Sequence, residues 1–97
     1  MATYITLIRF TQQGVAEIKD SATHLDQAKQ MFKAMGAEFK EIYLTLGQYD
    51  MIAIAEIPDD ETVAKLSLAV SAQGGVRGET LRAFTEVEFR KIISALP

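Results

Sequence analysis

Ile42-Tyr43-Leu44-Thr45-Leu46-Gly47-Gln48-Tyr49-Asp50-Met51-Ile52-Ala53-Ile54-Ala55 lies at the centre of the chain. Two runs rich in β-branched and aromatic residues flank a glycine. That arrangement predicts two strands joined by a hairpin. One helical pattern lies on each side of the hairpin, and a further strand lies beyond each helix. The order is therefore β-α-β, tight turn, β-α-β. Two such units make the split βαβ, or ferredoxin-like, arrangement of an α+β domain. Right-handed crossovers leave a gap after each first strand, which a strand of the other unit fills. The expected sheet is four-stranded and antiparallel, in the order 4-1-3-2, with both main helices on one face.

Outward from the hairpin, Tyr4 to Phe10 reads as the first strand, and Ala37 to Leu46 and Asp50 to Ile57 as the second and third. Thr11 can cap the turn after the first strand. Gly14 weakens the helical segment there, and Asp20-Ser21 offers a fresh N-cap. Ala22, Leu25, Ala28, Met31, Phe32 and Met35 then recur at three- and four-residue spacing, ending at Gly36. That is an amphipathic helix with a glycine C′ residue. Pro58-Asp59-Asp60 opens a second helix with Val63, Leu66, Ser67 and Val70 as its stripe, and Gly74-Gly75 stops it. Val76 to Phe84 is the fourth strand. Thr85-Glu86-Val87-Glu88 has the form of a capping box and opens a short last helix. The whole chain, residues 1–97, reads as one domain.

Side chains of a strand alternate between two faces. One parity set holds Ile5, Leu7, Ile42, Leu44, Leu46, Met51, Ala53, Ala55, Leu81 and Ala83. It is almost wholly apolar and is assigned to the helix-covered core, where each large aliphatic contributes about 1.5–3 kcal/mol. The other set holds Tyr4, Thr6, Ile8, Phe10, Phe39, Glu41, Tyr43, Thr45, Ile52, Ile54, Glu56, Thr80, Arg82 and Phe84. Too many of these are apolar for a face meeting water. Sheet-to-sheet packing of two identical subunits is expected to cover it.

Composition narrows the chemistry. The chain has 97 residues, 48% hydrophobic and 24% charged, with net charge −3. No strong field for nucleic acid or an anionic membrane follows from that balance. There is no cysteine and a single histidine. Disulfides, thiolate catalysis and cysteine-ligated clusters are excluded, and no metal site is predicted. No apolar run approaches the ~20 residues that span a bilayer. The N-terminal residues lack a basic leader pattern. The expectations are a cytoplasmic location, no membrane, no nucleic acid, and no cofactor. No phosphate loop, nucleophile elbow or His-Glu-x-x-His is present.

Gly47-x-Tyr49-Asp50 resembles the signature of the GYD family, named for those residues. Thr11-x-x-Gly14, Pro58-Asp59-Asp60 and Val76-Arg77-x-Glu79-Thr80-Leu81-Arg82-Ala83-Phe84-Thr85 resemble the same family. Gly78 stands where its last-strand motif leads one to expect threonine. The resemblance implies a dimeric α/β barrel. It implies no particular reaction, because the wider group includes cofactor-free monooxygenases, isomerases, haem enzymes and amino-acid-sensing domains.

Candidate site residues are few. Tyr49 and Asp50 could move protons at a cleft mouth. Turn chemistry is the plainer use: Gly47 supplies a positive φ, Asp50 binds a backbone N–H, and Tyr49 packs over the sheet edge. His24 is a general base, a ligand from one chain of a shared site, or a solvated or capping side chain. Arg77 and Glu79 share a parity and suit a local salt bridge. Thr6, Tyr43, Glu56 and Arg82, with Glu41, share a parity and suit an acidic or phenolic ligand, or else a network between subunits. Three readings follow. The first is a small-molecule-binding domain that forms a homodimer. The second is a cofactor-independent oxygenase or isomerase acting on a small aromatic or carboxylated metabolite. The third is a structural or regulatory oligomerisation module.

Overall fold

A computed structural model describes residues 1–97. Strand β1 (Ala2–Phe10) leads through a short helix α1 (Gln12–Ala16) and a 3-10 turn (Ile18–Asp20) into α2 (Ser21–Ala34). Strands β2 (Glu38–Leu44) and β3 (Met51–Ile57) flank the central hairpin. Helix α3 (Asp60–Ala72), β4 (Val76–Ala83) and α4 (Glu86–Ser94) complete the chain. The sheet runs β2-β3-β1-β4, and every neighbouring pair is antiparallel.

The ends of the helices follow local chemistry. Asp59 accepts a hydrogen bond from the Thr62 N–H at 2.8 Å, and Thr85 and Glu88 form a reciprocal capping box. Asp20 precedes α2 but makes no side-chain cap bond; the 3-10 turn supplies the break instead. The Thr62 N–H holds the Asp59 carboxyl below its ordinary value, and the Thr85 N–H does the same for Glu88. A carboxylate with a depressed folded pKa contributes stability above its unfolded pKa, about 3.9–4.3. That contribution is lost as pH falls through the folded value. The caps' contribution to thermal stability should therefore be independent of pH near neutrality and fall away below about pH 4. Asp59→Asn should flatten part of that acid slope; an unchanged slope would assign it to other groups.

Strand register settles which side chains share a face, and it revises the parity assignment. Tyr4 lies opposite Ala55 and Arg82, and Thr6 lies opposite Ala53 and Thr80. Ala53 and Ala55 are buried beneath the helices. Tyr4, Thr6, Ile8 and Phe10 therefore lie on the helix-covered face, as do Thr80 and Arg82. Ile5, Leu7, Leu81 and Ala83, expected in the core, lie on the open face with Ile52 and Ile54. Ile42, Met51, Ala53 and Ala55 occupy the helix side as expected, whereas Leu44 shares that side but is 74% exposed at the sheet edge and Leu46, also expected in the core, is 99% exposed in the hairpin. A bulge between Phe39 and Glu41 carries Phe39 to the helix side, where its ring lies 4.5 Å from that of Phe32. The extra residue reverses the alternation there.

Burial is sparse. Only Tyr4, Ala37, Ala53, Ala55, Ile57 and Leu66 are buried. Tyr4, 5% exposed, donates its hydroxyl to Asp60 Oδ1 at 2.5 Å. This bond, together with burial, raises the phenol's pKa. Two apolar surfaces remain uncovered. One is the open sheet face. The other is the apolar side of α4, where Phe89 and Ile93 are 56% and 51% exposed. Hydrogen bonds of α4 run only among Thr85–Leu96, so it stands off the body. The radius of gyration of 14.7 Å exceeds the ~12.5 Å expected of a compact chain this long.

Candidate functional site: a cavity between helices and sheet

Sparse packing between the helix layer and the sheet leaves a cavity of about 540 Å³. Leu25, Ala28 and Phe32 of α2 and Val63, Leu66 and Val70 of α3 supply its helix wall. These are the apolar stripes read from sequence spacing, with small residues letting the helices span the sheet without filling the gap. Ile8, Ala53 and Ala55 supply the sheet floor. Its volume lies within the ordinary range for small-molecule sites, about 300–1,000 Å³.

One polar pair interrupts the floor. Thr6 Oγ1 lies 3.1 Å from Thr80 Oγ1 across the β1–β4 ladder. Gly78 lies beside them, opposite Ile8, and a Cβ there would come 2.9 Å from Thr6 Cγ2. His24, at an exposed position on α2, and Glu17 line the rim. These two are the only ionisable side chains in the lining.

The end of the cavity is closed by a clasp. Thr11 Oγ1 donates to Gly74 O at 2.5 Å, and the Thr11 N–H donates to Gly75 O at 3.1 Å. The Gly14 N–H returns to Thr11 Oγ1 at 3.1 Å. The backbone at Gly14 comes so close to Gly75 that an added Cβ would lie 2.0 Å from Gly75 O. The spacing Thr11-x-x-Gly14 thus docks α1 onto the turn after α3. Sequence reading found the motif without its partner, because the docking turn lies some sixty residues away.

The four residues read as one ligand constellation are divided by the sheet. Thr6 lines the cavity, while Tyr43 and Glu56 occupy the open face. Tyr43 hydrogen-bonds Glu41 on its own strand, which raises the phenol's pKa, and Glu56 accepts from Thr3 Oγ1 at 3.0 Å. Arg82 is exposed, stacks on Phe84 at 4.4 Å, and donates to the Ala83 carbonyl. It is not among the cavity residues. The first and fourth strands present the opposite faces to those expected from parity, which separates Thr6 and Arg82 from Tyr43 and Glu56.

Gly47-Gln48-Tyr49-Asp50 acts as a clamp. Gly47 has φ +113°. Asp50 Oδ2 accepts from the Phe10 N–H at 2.9 Å, and the Asp50 N–H donates to Ile8 O at 2.8 Å. Tyr49 donates to Glu79 at 3.0 Å, which raises its pKa, and Arg9 lies 4.8 Å from its ring centroid. Glu79 is thus held by Tyr49, and Arg77 lies opposite Arg9 instead of forming the expected salt bridge. Gly47→Val should lower stability by about 1–3 kcal/mol through backbone strain, whereas Gln48→Ala should change it little. Thermal melts compare the two, and equal melting temperatures would contradict the turn's assignment.

Comparisons agree with this architecture. The crystal structure of TTHA0845 from Thermus thermophilus superposes with a TM-score of 0.56 at 24% identity, covering 88% of this chain and 95% of that one. It shows the fold alone. A curated relative from the same organism, "Glutamine synthetase and cystathionine beta-lyase binding protein", is 29% identical over 84 residues, covering 86% of this chain and 88% of its own. Neither description assigns a reaction. No helix here is long and apolar enough to cross a membrane. The family model described as the GYD domain matches residues 4–93, and the chain belongs to that family.

Proposed function

We propose that this GYD domain is a homodimeric, ferredoxin-like module of the dimeric α/β-barrel type that binds a small molecule between its helices and sheet. The cavity of about 540 Å³ with its Thr6–Thr80 pair carries the reading. An apolar enclosure with a few convergent polar groups is the usual form of a ligand site. The homodimer is supported by the open face. Ile5, Leu7, Ile52, Ile54 and Leu81 form its centre. Arg9 and Arg77 stand towards the β4 edge beside Glu79, whose carboxylate accepts from Tyr49, and Glu41 and Glu56 stand towards the β2 edge at the other end of the strands. A two-fold pairing can lay each charged corner over its opposite.

Native mass spectrometry of the purified protein tests both parts. The expected spectrum shows a mass of two chains, with an additional small-molecule mass in the unexchanged sample. A folded monomer at micromolar concentration would exclude the dimer. The enzyme reading gains less support, because Arg82 lies outside the cavity that holds His24 and Glu17.

The relative's name motivates a second reading, in which the module binds enzymes. The exposed apolar side of α4 favours it, since such a surface suits a protein partner. Calorimetric titration with purified glutamine synthetase and cystathionine beta-lyase would decide. Saturable binding to either supports this role, and absence of binding to both removes it.

A further inference from the structure

We infer that the cavity's ligand is a neutral, largely hydrocarbon molecule whose single hydroxyl or carbonyl group sits on the Thr6–Thr80 pair, and that Gly78 sets the size accepted there. This rests on the cavity being the binding site proposed above.

Charge supports a neutral occupant. No lysine or arginine lines the cavity; Glu17 is acidic and His24 stands at an exposed position. A carboxylate or phosphate placed over the floor would lose its water without gaining a cation. The hydroxyl pair supplies the polar anchor. One hydrogen bond between Thr6 and Thr80 uses one proton and one lone pair. The accepting hydroxyl keeps its own proton, and lone pairs remain on both oxygens. The pair can therefore both donate to and accept from one further oxygen. Leu25, Phe32, Val63, Leu66 and Val70 leave most of the molecule to hydrophobic burial, while the polar Gln27, Ser67 and Ser71 of the lining stand at exposed helix positions.

Gly78 controls the space beside this anchor. Any side chain would press on Thr6 Cγ2, starting from a Cβ separation of 2.9 Å. Thr6 would have to turn, moving its hydroxyl from Thr80, and the added atoms would occupy the floor. Gly78 thus combines a larger opening with an undisturbed hydroxyl pair.

Fluorescence titration with anthracenemethanol and anthracenecarboxylate, near neutral pH, separates the outcomes. These probes share one ring system and differ in charge. The alcohol should bind at least about tenfold more tightly than the carboxylate. Gly78→Val should weaken alcohol binding about tenfold or more, and Thr80→Val should weaken it while leaving the fold's melting temperature nearly unchanged. If Gly78→Val fails to fold, Gly78→Ala should give a smaller loss in the same direction. Equal binding of both probes, or unchanged affinity in the folded Gly78 variant, overturns this inference and leaves the cavity reading standing. Binding of neither probe to folded wild-type protein overturns both.

Discussion

Gly14→Ala is expected to lower the thermal stability sharply, while Gly75→Ala has little effect. The two glycines face each other at the clasp between α1 and the turn after α3, yet their surroundings differ. A Cβ on Gly14 would lie 2.0 Å from Gly75 O, a backbone atom that cannot rotate aside. A Cβ on Gly75 would meet nothing closer than Gly14 Cα at 3.9 Å, an ordinary contact. Alanine would gain about 1 kcal/mol of helix propensity over glycine in α1. Relieving the clash requires α1 to lift from the turn, with loss of the Thr11 bonds to Gly74 and Gly75. Overpacking of this kind costs about 1–3 kcal/mol or more, so the clash outweighs the propensity. A domain this size loses about 4–8 °C in melting temperature per kcal/mol. Gly14→Ala should also loosen ligand binding, because α1 closes one end of the cavity. Equal melting temperatures for the two variants would contradict the close approach.

This clasp illustrates what the sequence could and could not reveal. Thr11, Gly14, Gly74 and Gly75 were visible as punctuation, but their mutual contact depends on tertiary docking. Helical spacing and caps placed the elements because each signal is local: Gly36 after α2, Asp59 before α3, and Thr85 with Glu88 before α4. Face assignment was harder. β1 offers Tyr4, Ile8 and Phe10 on one parity and Ile5 and Leu7 on the other, so hydrophobicity cannot choose between them. A wrong choice moves every side chain of a strand to the opposite face. In β4 the apolar Leu81 and Ala83 face outward, and Thr80 faces the cavity. An apolar outer face beside a partly polar cavity reverses the usual rule of apolar residues inward. The bulge at Lys40 has no distinctive residue to announce it, and it transferred Phe39 from one face to the other. The cavity itself was invisible, since it arises from the distance between layers.

Ile5→Lys should convert a dimer into monomers without dismantling the core, and this follows from the corrected face. Ile5 lies opposite Ile54 on β3 and Leu81 on β4, at the centre of the open apolar surface. A lysine there has no acidic residue directly across either ladder to pair with it. Ile54→Lys would be less decisive, because Glu41 stands opposite that position. In the two-fold assembly each interface would receive two buried ammonium groups, each costing several kcal/mol unless it escapes to water. Every 1.4 kcal/mol weakens association tenfold, so a micromolar sample should dissociate. In a free subunit the same lysine points to solvent and leaves the helix–sheet packing intact. Sedimentation should report a dimer for wild type and a monomer for Ile5→Lys. The wild-type melting temperature should rise with protein concentration, and the variant's should not. Leu68→Lys, on an already exposed part of α3, should stay dimeric. An Ile5→Lys protein that remains dimeric would place the interface elsewhere, and the exposed apolar side of α4 would be the surface to test next.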